Sequence, residues 1–91
     1  MLKVRFTGQM KRDYKLQKKR GKNPALLENI LEKLANHVPL ESKHCDHALS
    51  GGWAGYRECH IENDWLLIYT IDSCELILFA SRTGTHADFG W

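Results

Sequence analysis

The sequence predicts a small α+β domain: an N-terminal strand, two helices, then a three-stranded antiparallel meander forming a sheet packed on the helices. Two observations carry that expectation. Apolar residues recur at helical spacing before residue 40, and the period shortens to that of strands after residue 55. Glu62-Asn63-Asp64 and Asp72-Ser73-Cys74 then divide the second half into three runs joined by short turns. Ninety-one residues suit one domain, spanning 1–91, with a single core.

The elements follow in order. Leu2 to Thr7 alternates as a strand does, and Gly8 breaks it. From Gln9 to Arg20 the apolar residues thin to Met10, Tyr14 and Leu16, so a helix there rests only a narrow stripe on the core, with Gly21 placed to cap it. Asn23-Pro24 is a helix start, because the Asn side chain accepts from orphan amides and Pro at the first helical position loses no needed donor. Leu26, Leu27, Ile30, Leu31 and Leu34 continue it, and Val38-Pro39 is expected to end it. Glu41 to Trp53 reads as a loop containing His44-Cys45-Asp46-His47 and Gly51-Gly52. Tyr56 to Ile61, Trp65 to Ile71 and Glu75 to Thr83 are the meander. The last two are apolar enough that both of their faces must be partly covered. The first places Arg57, Cys59 and Ile61 on one face and Tyr56, Glu58 and His60 on the other.

Composition narrows the class. A hydrophobic share of 43% and a charged share of 26% argue against disorder or a fibrous repeat. No apolar run reaches the ~20 residues of a membrane span, and the opening Met1 to Phe6 alternates charge with hydrophobe, so a soluble, cytoplasmic protein without a membrane partner is expected. Cys45, Cys59 and Cys74 are odd in number and include no C-x-x-C pair, as reduced thiols would be. Charge is divided unevenly: residues 1–22 hold nine Lys or Arg against Asp13 alone, whereas the remainder holds four basic and ten acidic side chains. Such a basic helix suits an anionic partner, since Lys and Arg release counterions on meeting phosphates. A solvated helix face is the competing reading.

Polar residues gather at the strand ends. His60 closes one run, Asp64 and Trp65 open the next, and Arg82 with His86 leaves the third. The short turn keeps His60 near Trp65; whether Arg82 and His86 join them depends on strand order, which periodicity does not reveal.

Asp46-His47-Ala48-Leu49, then GGWAGYRECHIENDWLLIY from Gly51 to Tyr69, then RTGTH from Arg82 to His86 occur in that order. Together these segments resemble the YafQ branch of the RelE/ParE superfamily of bacterial type II toxins. The resemblance implies a compact RelE-like fold and a ribosome-dependent mRNA endoribonuclease neutralised by a cognate antitoxin. It further implies a chain that is monomeric alone, hetero-oligomeric with antitoxin, and in contact with ribosomal RNA and mRNA. Carried over by position, the family's site falls on His47, His60, Asp64, Trp65, Arg82, His86 and Phe89. Two departures stand out: Asn63 replaces the usual Pro before Asp64, and Phe89 follows His86 by three residues where such chains commonly space four, which makes Trp91 a second candidate aromatic.

The residue types fit the implied chemistry, which needs no cofactor. RNA cleavage through 2′-hydroxyl attack requires a base, groups that stabilise the charged phosphorane, and an acid for the leaving 5′-oxygen. Imidazoles, with an ordinary pKa of ~6.5, serve either proton role. His86 is expected as acid and His47 as base, with His60 and Asp64 positioning or deputising as base. Arg82 is expected on the phosphate. Trp65 and Phe89 are expected to stack on bases, and Lys15, Lys18 and Lys19 to bind RNA backbone. The products would be a 2′,3′-cyclic phosphate and a 5′-hydroxyl. Two other readings remain at this point. One is a small metal-binding module using His44, Cys45, His47, Cys59, His60 and His86, although adjacent Cys59 and His60 point to opposite faces and no pair has zinc-finger spacing. The other is a ParE-like toxin acting through protein contacts, for which three histidines and Asp64 have no use. Arg57 and Glu58 are read as a structural salt bridge outside the site.

Overall fold

Strand period, helix caps and leucine spacing translate into a computed structural model of Met1–Trp91 with two α-helices and one five-stranded sheet. The elements are β1 (Lys3–Phe6), α1 (Gly8–Lys19), α2 (Pro24–Ala35), β2 (His47–Ala48), β3 (Arg57–Glu62), β4 (Trp65–Asp72) and β5 (Ile77–Gly84). Short 3-10 turns occupy Ser42–His44, Gly51–Trp53 and Ala87–Phe89. No helix is long and apolar enough to cross a membrane.

Helix ends follow their caps. Gly8 opens α1 because Thr7, just before it, accepts from the Met10 N–H. Gly21, at φ +88°, closes it: the Gly21 N–H reaches Lys18 O and the Lys22 N–H reaches Gln17 O, each at 3.1 Å. Asn23 caps α2 through the Ala25 N–H, as expected. That helix ends at Ala35, short of Val38-Pro39, because His37 takes the left-handed conformation at φ +58° and closes the same motif that Gly21 closes on α1. The apolar stripe of α2 (Leu27, Ile30, Leu31, Leu34) packs with Leu2 and Met10 against Cys59, Trp65, Leu67, Tyr69 and Leu78. Each large side chain so buried contributes roughly 1.5–3 kcal/mol.

The meander forms as β3, β4 and β5, and the sheet extends beyond it in the order β1-β5-β4-β3-β2. β1 lies parallel to β5, and the remaining pairs are antiparallel. The segment expected as a loop thus contributes a two-residue strand, His47 pairing with Glu58 and Ala48 with Arg57. Both faces of β4 are covered, since Leu66 and Ile68 on one side are as fully buried as Trp65 and Leu67 on the other.

Register places the candidate site. Residues opposed across antiparallel strands share a face, so His47, Glu58, Ile68 and Arg82 form one row, and His60, Leu66 and Gly84 the next. β1 stops at Phe6, and beyond it α1 lies along the free edge of β5, where Asp13 accepts from the Thr83 N–H at 3.2 Å. One carboxylate does there what a longer strand would have done.

Candidate active site

Three of the five catalytic candidates, His60, Asp64 and His86, meet through direct contacts, and Arg82 and His47 lie in the adjoining register row to either side. His86 follows β5 and meets Asp64, the last residue of the turn into β4. Asp64 Oδ1 accepts from both the backbone N–H and the ring Nδ1 of His86, at 2.9 and 2.7 Å. These bonds, the backbone one foremost, hold the Asp64 carboxyl below the usual carboxylate range. Since a carboxylate only accepts, Nδ1 carries the proton and Nε2 is the nitrogen left for reaction. The His60 ring lies edge-on to that of His86, with centroids 5.5 Å apart. Its Nε2 stands 3.3 Å from Glu58 Oε1, and the Glu58 side chain is almost wholly buried.

His47 flanks this cluster on β2. Its register partner is Glu58, two residues from His60, so the His47 and His60 backbones stand about 8 Å apart by strand geometry. His47 Nδ1 donates to Cys45 O at 2.6 Å, again leaving Nε2 free. The loop carrying it is clasped from behind: Tyr69 donates its hydroxyl to Asp46 at 2.5 Å, and Arg57 Nε approaches both, at 3.3 and 3.4 Å. His44 Nδ1 donates to the carbonyl of His60 at 2.6 Å, tying the same loop to β3. The expected Arg57–Glu58 pair does not form. Adjacent strand residues point to opposite faces, so Arg57 turns to Asp46 and Glu58 to His60.

Arg82 projects from the same face of β5. Its Nε and Nη2 donate to Asp13 at 2.9 and 3.1 Å, and its guanidinium lies 5.0 Å from the centre of the Phe89 ring. Burial works against the Asp13 charge, but hydrogen bonds from Arg82, Gln9 and the Thr83 N–H outweigh it, so the carboxyl sits below its ordinary range. Phe89 reaches Arg82 despite its shortened spacing because Ala87–Phe89 is a tight 3-10 turn. The half-exposed ring of Trp91 leans on Phe89, centroids 5.3 Å apart.

Each residue of the RTGTH run then has a reason. Thr83 is buried, accepting from Trp65 Nε1 at 2.8 Å and donating to Leu66 O at 2.6 Å. At Gly84 a Cβ atom would stand 2.8 Å from Asp88 Oδ2, so a larger residue would push the Asp88 side chain out of its bonds in the following turn. Thr85 and Asp88 exchange bonds, the Thr85 N–H to Asp88 Oδ2 at 2.8 Å and the Asp88 N–H to Thr85 Oγ1 at 3.1 Å. Arg20, the residue that ends α1, braces that turn with two bonds to Asp88, at 2.8 and 3.2 Å.

One expectation is revised. Trp65 is fully buried, its ring in the core and its N–H committed to Thr83, so it has no face on which a base can stack. Lys15, Lys18 and Lys19 are exposed on α1, and Lys18 Nζ sits 4.5 Å from the centre of the Tyr14 ring. They have no contact with the histidine cluster and form a separate basic face. Arg20, which belongs to the same basic run, is turned inward to Asp88. Asp13 and Asp88 escaped the sequence reading, and Glu58 was assigned to a pair outside the site. Only Asp13 left a trace, as the one acid among nine basic residues, on the stripe Met10, Asp13, Gln17.

A helical pair packs on an antiparallel-rich sheet, and histidines, a carboxylate and an arginine gather along one face and at its strand ends. A family model described as "Bacterial toxin of type II toxin-antitoxin system, YafQ" matches residues 2–90, and the chain belongs to that family. It is similar to the mRNA interferase toxin YafQ of Escherichia coli strain K12, 41% identical over 85 residues that cover 92% of this chain and 90% of that protein. Among solved structures it resembles the E. coli DinJ-YafQ complex, with TM-score 0.86, 38% identity and 97% of each chain covered. It also resembles a metal-bound toxin from Helicobacter pylori, with TM-score 0.91, 38% identity, and 97% of this chain and 98% of that one covered.

Proposed function

We propose that this chain is an mRNA interferase, an endoribonuclease toxin that cleaves mRNA on the ribosome and is held inactive by a cognate antitoxin. Family membership, the name of the E. coli relative and the toxin–antitoxin complex formed by that relative's kind support the activity and the partner. One structural observation carries the mechanism. His47 on β2 and His86 just beyond β5 are each held through Nδ1 by an acceptor, which leaves each with a free Nε2 to turn toward a substrate.

His47 takes the proton of the attacking 2′-hydroxyl through Nε2. Arg82 faces the phosphate with the part of its fork that Asp13 leaves free and balances the charge of the phosphorane. His86, held by Asp64, protonates the departing 5′-oxygen, giving a 2′,3′-cyclic phosphate and a 5′-hydroxyl. His60, beside His86 and Glu58, positions the ring of His86 and can deputise as base. Phe89 and Trp91 supply aromatic surface next to the phosphate, and Trp91 is the more open of the two. The exposed lysines of α1 bind ribosomal RNA backbone, consistent with a cytoplasmic site of action.

No three His, Cys, Asp or Glu side chains converge as a metal site. The metal-bound H. pylori relative nonetheless makes the chelator an informative variable. The test is cleavage of mRNA on programmed ribosomes by purified protein, with and without EDTA. Cleavage in both, yielding cyclic phosphate ends, is expected. Activity that EDTA abolishes and zinc restores would replace the imidazole mechanism with a metal-dependent one, and no cleavage in either condition would favour the ParE-like reading.

A further inference from the structure

We propose that Asp13 is a positioning residue for the cleavage reaction: it fixes Arg82 so that only the outer edge of the guanidinium fork meets the scissile phosphate. The proposal rests on the assignment of Arg82 to that phosphate.

A guanidinium offers two edges for paired hydrogen bonds, the side edge of Nε and Nη2 and the end edge of Nη1 and Nη2. Asp13 occupies the side edge with both carboxylate oxygens, at 2.9 and 3.1 Å. The Phe89 ring closes one face at 5.0 Å. The end edge makes no hydrogen bond within the chain, and it is the edge that matches two oxygens of a phosphate. A long, flexible side chain is thereby held before substrate arrives, which removes the ordering entropy that binding would otherwise have to supply.

Asp13 is itself well anchored. Its carboxylate accepts from Gln9 Nε2 at 2.8 Å and from the Thr83 N–H at 3.2 Å, and its side chain is nearly buried. It is the one acid in the first 22 residues, and the basic side chains around it on α1 point outward. A carboxylate beside a phosphate site would by charge alone weaken anion binding, so geometry and charge make opposite forecasts for its removal.

Asp13→Asn separates them. It keeps the volume and an oxygen for the Thr83 N–H but removes the charge that holds the fork. Cleavage by the full chain on mRNA-programmed ribosomes is measured for wild type, Asp13→Asn, Arg82→Ala and the double variant. Asp13→Asn should lower kcat on the order of 10–100-fold with little change in KM. In the Arg82→Ala background the same substitution should change the rate by less than about 2-fold. An Asp13→Asn rate at or above wild type, with Arg82→Ala slow, overturns the positioning role and leaves the Arg82 assignment standing. Arg82→Ala at the wild-type rate overturns both. Full additivity in the double variant also overturns the proposal, because Asp13 would then act other than through Arg82. If Asp13→Asn does not fold, nitrogen-15 NMR of wild type decides: the Arg82 Nε–H should exchange with water far more slowly than that of exposed Arg5, and equal rates overturn the fixed geometry.

Discussion

Trp65→Phe separates the core from the site. The indole is fully buried, so no part of its ring can be spared without loss of packing. Its N–H donates to Thr83 Oγ1 at 2.8 Å, but that oxygen keeps its own bond to Leu66 O in the variant. Loss of one such bond costs about 1 kcal/mol. The smaller ring leaves a partial void that costs roughly 1–2 kcal/mol more. A total near 2–3 kcal/mol lowers the unfolding midpoint of a domain this size by about 10–20 °C. Thermal unfolding by circular dichroism measures that shift, and single-turnover cleavage well below the midpoint measures chemistry. The expected outcome is a large fall in midpoint with a rate within about threefold of wild type, because Trp65 touches the site only through Thr83 and its neighbours. A tenfold slower rate with an unchanged midpoint would refute the reasoning and return Trp65 to the RNA.

Charge reversal of Lys15, Lys18 and Lys19 to Glu should weaken ribosome binding and flatten its dependence on salt, since each lost phosphate contact removes released counterions; an unchanged slope would show a merely solvated face. The turn carrying His86 should be acid-sensitive, because Arg20 first, then the Thr85 N–H, lowers the Asp88 carboxyl to about 2. Between that value and the ordinary ~3.9 the unfolded chain binds more protons than the folded one, so this stabilisation is complete above about pH 4 and disappears as pH falls through about 2. Asp88→Asn should be less stable at neutral pH and should lose less between pH 4 and pH 2, as denaturant titrations at each pH would show; parallel profiles for the two proteins would contradict it.

Much of this fold was legible because local signals agreed. Asn23-Pro24 and the leucines of α2 specify a start, a face and a partner surface within a dozen residues, and the turns at Asn63 and Ser73 isolate three strands. Pairing between distant segments leaves no such mark. The parallel contact of β1 with β5 and the short β2 rest on tertiary geometry, and two residues are too few to display a period. The site divides the same way. His60 near the end of β3, Asp64 in the turn after it and His86 beyond β5 stand where side chains are free for chemistry, and they do meet. Trp65 was ambiguous in sequence because an indole serves a core or a stacking platform equally well, and only burial separates the two. Asp13 lay hidden in a basic helix, where one acid looks incidental until α1 is seen beside β5. Glu58 next to Arg57 suggested a pair, yet the pleat sends neighbours to opposite faces.

The central claim is that His86, held by Asp64, delivers the proton to the leaving oxygen. The most direct measurement uses an mRNA whose 5′-oxygen at the cleavage site is replaced by sulfur, a leaving group that departs without protonation. On ordinary mRNA, His86→Ala should cleave ~10²–10⁴-fold more slowly than wild type with folding and ribosome binding intact. On the sulfur substrate His86→Ala should recover most of that loss, whereas Arg82→Ala and His47→Ala should recover little. Rescue of His47→Ala in place of His86→Ala would reverse the acid and base, and rescue of neither would contradict general-acid catalysis by either histidine.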